Sequence, residues 1–415
     1  RTSWPSHHGG NGYAKKQGTI SLSRMIQPLL PLGSWLVGFL LLWGCQSTAP
    51  EHQTTDEATI ARQEAREDSL ELVAAYERQS MIAHAVIPNM ETEAVVAEAS
   101  LDAADDPALW VHPENPDQSI LIGSNKKGGL HLYALDGKEI GYFPVGNINN
   151  VDVLADFQLG DQSIVLVGGS NRSDQSLDLF QLDPETQQLI DIADGPLKVD
   201  GAKMDDVYGF CLYQDLEQNR AYAFINAKNG RVQQFELTAT EAGKVSAQKV
   251  RDILFDSQVE GMVADPPYHC LYVGEEDAGI WQVPARPEDG SEKVLIEEST
   301  EANPNISFDV EGLAIYAKGE GGYLLASSQG NFSYAVFDRM PPHAYLTSFT
   351  LASGGQIDGV EETDGIEAIS ASLGEKYPMG VFIAQDGFNY AGDSIEAQNF
   401  KLVDWRAIDS VLQMP

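Results

Sequence analysis

The residues in this chain whose types and spacing could do chemistry recur in two elements. The first is an acid that opens an apolar run: Asp106 before PALWV, Asp152 before VLADF, Asp206 before VYGFCLY, Glu260 before GMVAD, Glu311 before GLAIY and Asp364 before GIEAI. Successive copies are 46, 54, 54, 51 and 53 residues apart. The second is a polar turn between two apolar runs, near residues 125, 171, 226, 275, 329 and 385. The acids and amides falling at these places are Asp105, Asp106, Asn149, Asp152, Asp205, Asp206, Glu260, Glu275, Glu276, Asp309, Glu311, Gln329, Asp358, Asp364, Glu367 and Asp386. Carboxylates at this density repel unless protons or a metal bridge them. Donors that are all oxygen, with no Cys or His cluster, point to Ca²⁺ over zinc or copper. Lys126, Lys127, Arg172 and Lys228 occupy equivalent turns of the first three copies. They suit a polyanion held between metal on one side and cations on the other, and the Tyr208 hydroxyl could donate to the same anion. The plainer alternatives stay beside this reading: Asp, Asn and Gly also make turns, and the cations also balance nearby acids.

What must position these residues is legible from the same period. Six units of about 50 residues, each worth some four strands, indicate a six-bladed β-propeller. A sandwich or an up-and-down barrel would not show that repeat. The last unit is short of a strand after NFKLVDW (399–405), and AVVA (94–97) is spare before the first. The expectation is that AVVA completes the last blade and closes the ring, which removes exposed sheet edges. In each blade the first strand starts, and the second ends, on one face. Acids and turns are therefore expected around one mouth of the central channel.

The N-terminus reads as an address. Residues 29–44, LLPLGSWLVGFLLLWG, form an apolar run behind Lys15, Lys16 and Arg24 and end at Cys45. Basic flank, short apolar stretch and small residue before the cut make a secretory signal. LWGC resembles a bacterial lipoprotein box, with Cys45 lipidated; a transmembrane anchor would need a longer run. Residues 1–24 read as upstream sequence if Met25 is the start. The expected organisation is a signal segment over 1–44, a lipidated Cys and polar spacer over 45–92, and the propeller over 93–415. The spacer shows no clear strand, and residues 57–79 read as a short polar helix. The expected location is the bacterial cell envelope, with the membrane touched through a lipid anchor alone.

Composition narrows the partners. The chain of 415 residues carries 62 Asp+Glu against 26 Lys+Arg, a formal net charge of -36. That excludes a nucleic-acid binder, which needs a basic footprint. Three Cys exclude a disulfide scaffold; Cys211 and Cys270 lie in apolar runs and are expected as buried thiols. GxSxG, HExxH, P-loop and CxxC motifs are all missing from the sequence.

In order along residues 100–406, DAADDPALW, SNKKGGL, NNVDV, SNRS, DDVYGF, VEGMVAD, GEEDAGIW, DVEGL, LLASSQGN, TDGIE, AQDG and QNFKLVDW resemble the β-propeller phytases. The resemblance implies calcium-dependent hydrolysis of phosphomonoesters of myo-inositol hexakisphosphate by a monomer. It implies phosphate contacts from Lys126, Lys127, Arg172, Tyr208 and Lys228. It also implies calcium ligands at Asp106, Asn149, Glu260, Glu276, Asp309, Glu311, Gln329, Asp358, Asp364 and Asp386. Water activated between Glu260, Glu311 and Asp364 would attack phosphorus, with Lys126, Arg172 and Tyr208 beside it. Asn229 and Phe388 depart from the pattern, which usually has Glu at both places. Two rival readings remain: a calcium propeller cleaving phosphotriesters or lactones, and a binding platform with structural calcium.

Overall fold

The computed structural model describes residues 66 and 69–414. The signal segment, Cys45 and most of the spacer lie outside the described residues. The chain divides into residues 1–73 and residues 74–415. In the first unit the described residues are helical, and in the second residues 74–79 are helical before the sheets begin. No helix among the described residues is long and apolar enough to cross a membrane.

Short β-rich runs with alternating apolar residues fold into six antiparallel blades of four strands, one of which carries a fifth, parallel strand at its edge. Blade 1 spans 104–143, blade 2 148–191, blade 3 207–254, blade 4 259–295 and blade 5 310–351. Blade 6 is built from Ile366–Ile369, Val381–Asp386, Asn399–Asp404 and, as its outer strand, Met90–Glu91. The innermost strand of each blade touches that of the next, and the sixth touches the first. Apolar side chains fill the spaces between blades; one cluster joins Leu121 and Tyr133 of blade 1 to Ile383 and Phe400 of blade 6.

An N-terminal strand closes the ring as expected, but it is Met90–Glu91 rather than AVVA. Met90 and Glu91 pair with Leu402 and Lys401. The ladder then breaks because the Phe400 amide donates to Thr92 Oγ1, a side-chain oxygen, at 3.1 Å. Val95 is buried outside any strand, whereas Val96 is 55% exposed. The expectation of no strand within 46–92 also fails at His84–Val86, which pairs in parallel with Phe349–Leu351 on the edge of blade 5. Strands of two and three residues are too short to show alternation in a sequence. The helix Trp405–Leu412 ends the fold, capped by Asp404, whose carboxylate accepts from the Arg406 amide at 3.0 Å. Cys211 is a buried free thiol as expected, while Cys270 is only half-buried and also free.

Candidate functional site

Strand register puts the two sequence elements together. Ala104 pairs with Asn125, Ile148 with Asn171, Val207 with Ala227, Val259 with Glu275, Val310 with Ser328 and Ile366 with Ala384. In all six blades the start of the first strand thus faces the end of the second. In the first five the register shifts immediately afterwards, at a bulge. A bulge adds one unpaired residue and re-aims side chains. The residues inside these bulges include Asp105, Asn149, Tyr208, Glu260 and Glu311. The innermost strands also crowd one another. A Cβ on Gly261 would fall 2.0 Å from the Glu311 carbonyl oxygen of the next blade, so this position requires glycine.

Glu260 and Glu311, from the first strands of blades 4 and 5, converge with Glu276, from the turn joining the second and third strands of blade 4. One carboxylate oxygen of each lies within 4.8 Å of those of the others, and all three side chains are buried. Burial, and then Glu260 and Asp309, push the Glu276 carboxyl up to about 9. Burial, followed by Glu276 and Glu260, holds Glu311 well above the ordinary carboxylate range, and burial also raises Glu260. Glu260 Oε2 and Glu311 Oε2 are buried with no hydrogen-bond partner among the described residues. Orphaned carboxylate oxygens in a like-charged cluster fit a hard cation, because a divalent ion both offsets the repulsion and takes the free lone pairs. Around this centre, the Gln258 amide donates to Glu276 Oε1 at 2.7 Å. The Asn149 amide donates to Glu260 Oε1 at 2.7 Å.

Two cations border the carboxylates. Lys126, only 6% exposed, sets Nζ 2.6 Å from Asp364, 2.9 Å from Asp102 and 3.0 Å from Asp105. Burial works against its charge, but Asp102, Asp364 and Asp105 outweigh it and hold the ammonium well above its usual range. Arg172 is fixed from behind by Asp206 Oδ2 at 2.6 Å and reaches Asn149 Oδ1 at 3.3 Å. Gln175 in turn holds Asp206 at 3.1 Å. The Tyr208 ring lies between Arg172, 5.8 Å from its centroid, and Lys228, 4.4 Å away. Lys127 is exposed. Gln329 donates to Asp364 Oδ1 at 2.8 Å and its backbone amide bonds the Asp309 carbonyl at 2.9 Å, which ties blade 5 to blade 6.

Not every acid in the expected ligand set joins this centre. Asp106 turns away from Asp105: its Oδ2 accepts the Val151 amide at 3.1 Å, and Asp152 and Glu367 are among the charges that raise its pKa after burial and Asp105. Asp358 and Asp386 gather instead on Lys401, 2.5 and 3.2 Å from its Nζ, with Glu91 at 2.5 Å. Glu275 serves its own blade, accepting from the Asp256 and Ser257 amides and the Trp281 indole. Asp205 likewise braces the turn through the Asp206 and Asn229 amides. Asn229 donates to the Lys203 carbonyl at 2.7 Å, and Phe388 is buried.

Sequence reasoning did not find Asp102, Asp206 as the brace of Arg172, or Lys401. The only signal for Lys401 was a single cation inside the apolar strand NFKLVD.

The family model described as Phytase matches residues 59–414. A 3-phytase of Bacillus subtilis (strain 168) is 41% identical over 318 residues, 76% of this chain and 82% of that protein. Among solved structures, a luciferin-regenerating enzyme has a TM-score of 0.48 at 10% identity, covering 76% of this chain and 95% of that one. The Swd1 β-propeller domain from Myceliophteria thermophila has a TM-score of 0.41 at 12% identity, covering 72% and 83%. Neither structural likeness bears on activity. Matched over most of its length by the family model, and at 41% identity by a curated 3-phytase, the chain belongs to the phytase family.

Proposed function

We propose that this protein is a calcium-dependent phytase, hydrolysing phosphomonoesters of myo-inositol hexakisphosphate to inorganic phosphate and lower inositol phosphates. Besides family membership, one observation carries the reading. A buried Glu260–Glu276–Glu311 cluster with orphaned oxygens lies beside Asn149, which is itself in reach of the Arg172 guanidinium.

Glu260, Glu276, Glu311 and Asp364 would hold calcium directly, with Asn149, Asp309 and Gln329 around them. Bound calcium supplies charge for the phosphoryl oxygens and a lowered pKa for an attacking water. The chain's own residues do the rest. Arg172, oriented by Asp206, presents a planar fork suited to two phosphate oxygens. Lys228 and Tyr208 add a point charge and a hydroxyl on the same side, and exposed Lys127 extends the positive rim. Lys126 keeps its proton against three acids, so it enters the reaction as a fixed charge rather than as a base. Asp106, Asp358 and Asp386 are assigned elsewhere: Asp106 to a second layer of acids, the other two to the Lys401 cluster.

The working protein is read as a monomer anchored in the bacterial envelope through lipidated Cys45; the apolar run 29–44 before that cysteine supports the anchor. The test of substrate class is a side-by-side assay of phytate, paraoxon and a lactone with calcium present. Phosphate release from phytate alone is expected. Turnover of paraoxon or the lactone, with phytate untouched, would transfer the site to the rival enzyme class, and no turnover of any would leave a binding platform.

A further inference from the structure

The segment preceding the sheets touches the polar turn of blade 5. Arg78 Nη1 donates to the Gly330 carbonyl at 3.1 Å, and Gln79 Nε2 reaches the Phe332 carbonyl at 3.5 Å. Tyr76 meets the Phe332 ring edge-on, with centroids 5.2 Å apart and planes at 76°. All three contacts fall on one short turn, Gln329–Asn331, and the residue that ends it. Phe332 has a φ of 50°, a left-handed conformation that a bulky residue keeps only when its surroundings enforce it. The turn packs closely on the chain before its blade: a Cβ on Gly330 would meet the Phe308 carbonyl oxygen at 1.9 Å.

The same turn carries Gln329, which holds Asp364 Oδ1 at 2.8 Å while Asp364 Oδ2 holds Lys126 at 2.6 Å. A continuous series of contacts therefore runs from residues 76–79 through the turn to Asp364 and Lys126. We propose that Tyr76, Arg78 and Gln79 are positioning residues for phosphate-ester hydrolysis, a strap that keeps the Gln329 turn in register with the mouth. This rests on Gln329 and Asp364 belonging to the reacting centre. The physical basis is the steep dependence of rate on alignment, where a shift of about 1 Å costs as much as about 10²-fold. Three contacts on one turn would hold such a shift in check.

The experiment uses the full chain with phytate and saturating calcium, and reads kcat, KM and the thermal midpoint. The variants are Arg78→Ala/Gln79→Ala, Tyr76→Ala, Tyr76→Phe, Gln329→Ala and, as a control on the same helix, exposed Glu77→Ala. The double variant and Tyr76→Ala should each lower kcat by about tenfold, with KM and midpoint near the parent's. Tyr76→Phe, which keeps the ring contact, should restore kcat, and Glu77→Ala should match the parent. An unchanged kcat in the double variant, with Gln329→Ala impaired, overturns the strap and spares the site. A silent Gln329→Ala overturns the reading of the turn, and the strap with it. A kcat that falls only in step with the folded fraction also overturns the proposal.

Discussion

Two acidic clusters in this protein solve the same problem in opposite ways. Asp358, Asp386 and Glu91 surround the fully buried Lys401 ammonium at 2.5 to 3.2 Å, so the chain supplies its own cation. Glu260, Glu276 and Glu311 converge with no lysine or arginine among them, and two of their oxygens are orphaned. The first arrangement is compensated in part once folded: three acids share one lysine, and burial still pushes Asp386 up to about 7 against the pull of Lys401. The second is strained by like charge until protons or an ion arrive. Acid content alone would not separate them; what stands at the centre does.

The largest effect should come from deleting the internal cation. Lys401→Met leaves buried carboxylates uncompensated, and loss of one partner of a buried ion pair costs about 3–5 kcal/mol. Denaturant unfolding at pH 7 should show that loss in chelator. If Lys401→Met is as stable as the parent, the cluster does not depend on its lysine.

Next in size is Glu311→Gln, which removes a carboxylate from the uncompensated cluster. It should lower kcat for phytate by about 10²–10³, in line with loss of one preorganised electrostatic group. In chelator the variant should be at least as stable as the parent, because a repelling charge has gone. Opposite signs in the two clusters would confirm the contrast; destabilisation in both would break it.

A third prediction concerns pH. Glu276 moves from an ordinary 4.5 to about 9 on folding, raised by burial and then Glu260 and Asp309. Asp105 and Asp364 rise from 3.8 to about 7, with burial the leading cause. A carboxyl whose pKa is raised in the folded state favours folding only while protonated. That contribution is whole below the unfolded value and is lost as pH climbs to the folded one. Thermal midpoints in chelator should therefore fall between about pH 4 and 9, and millimolar calcium should flatten the slope. A flat profile in chelator contradicts the uncompensated cluster.

Smallest is Lys228→Ala, which removes a cation 4.4 Å from the Tyr208 ring. A cation–π contact of this kind contributes about 0.5–1 kcal/mol. A rise in KM for phytate of a few-fold, with stability nearly unchanged, is expected from steady-state kinetics.

The fold was legible because six innermost strands repeat one motif, an acid and then apolar residues, at nearly constant spacing. The closing strand was not: at Met90–Glu91 it is two residues long, set by pairing with Lys401 and ended by the Thr92 hydroxyl. At the site, residue type pointed to the right turns but not to the right member of each acidic pair. Asp105 reaches Lys126 while Asp106 bonds the Val151 amide, and Glu276 joins the cluster while Glu275 braces its blade. In the first pair a bulge causes this, because it changes which neighbour points inward without altering composition; in the second, Glu275 ends a strand and Glu276 opens the turn after it. Lys401 escaped notice for a different reason: it is a single lysine whose carboxylate partners lie 15, 43 and 310 residues away, so no local pattern announces it.

The central claim is that the Glu260–Glu276–Glu311 centre works only with a divalent cation. Phosphate release from phytate by the full chain, stripped with EDTA and then titrated with calcium, tests it most directly. Activity should vanish in chelator and return with calcium in the parent, and should stay low at every calcium concentration in Glu311→Gln. Full phytate hydrolysis in chelator would contradict the account.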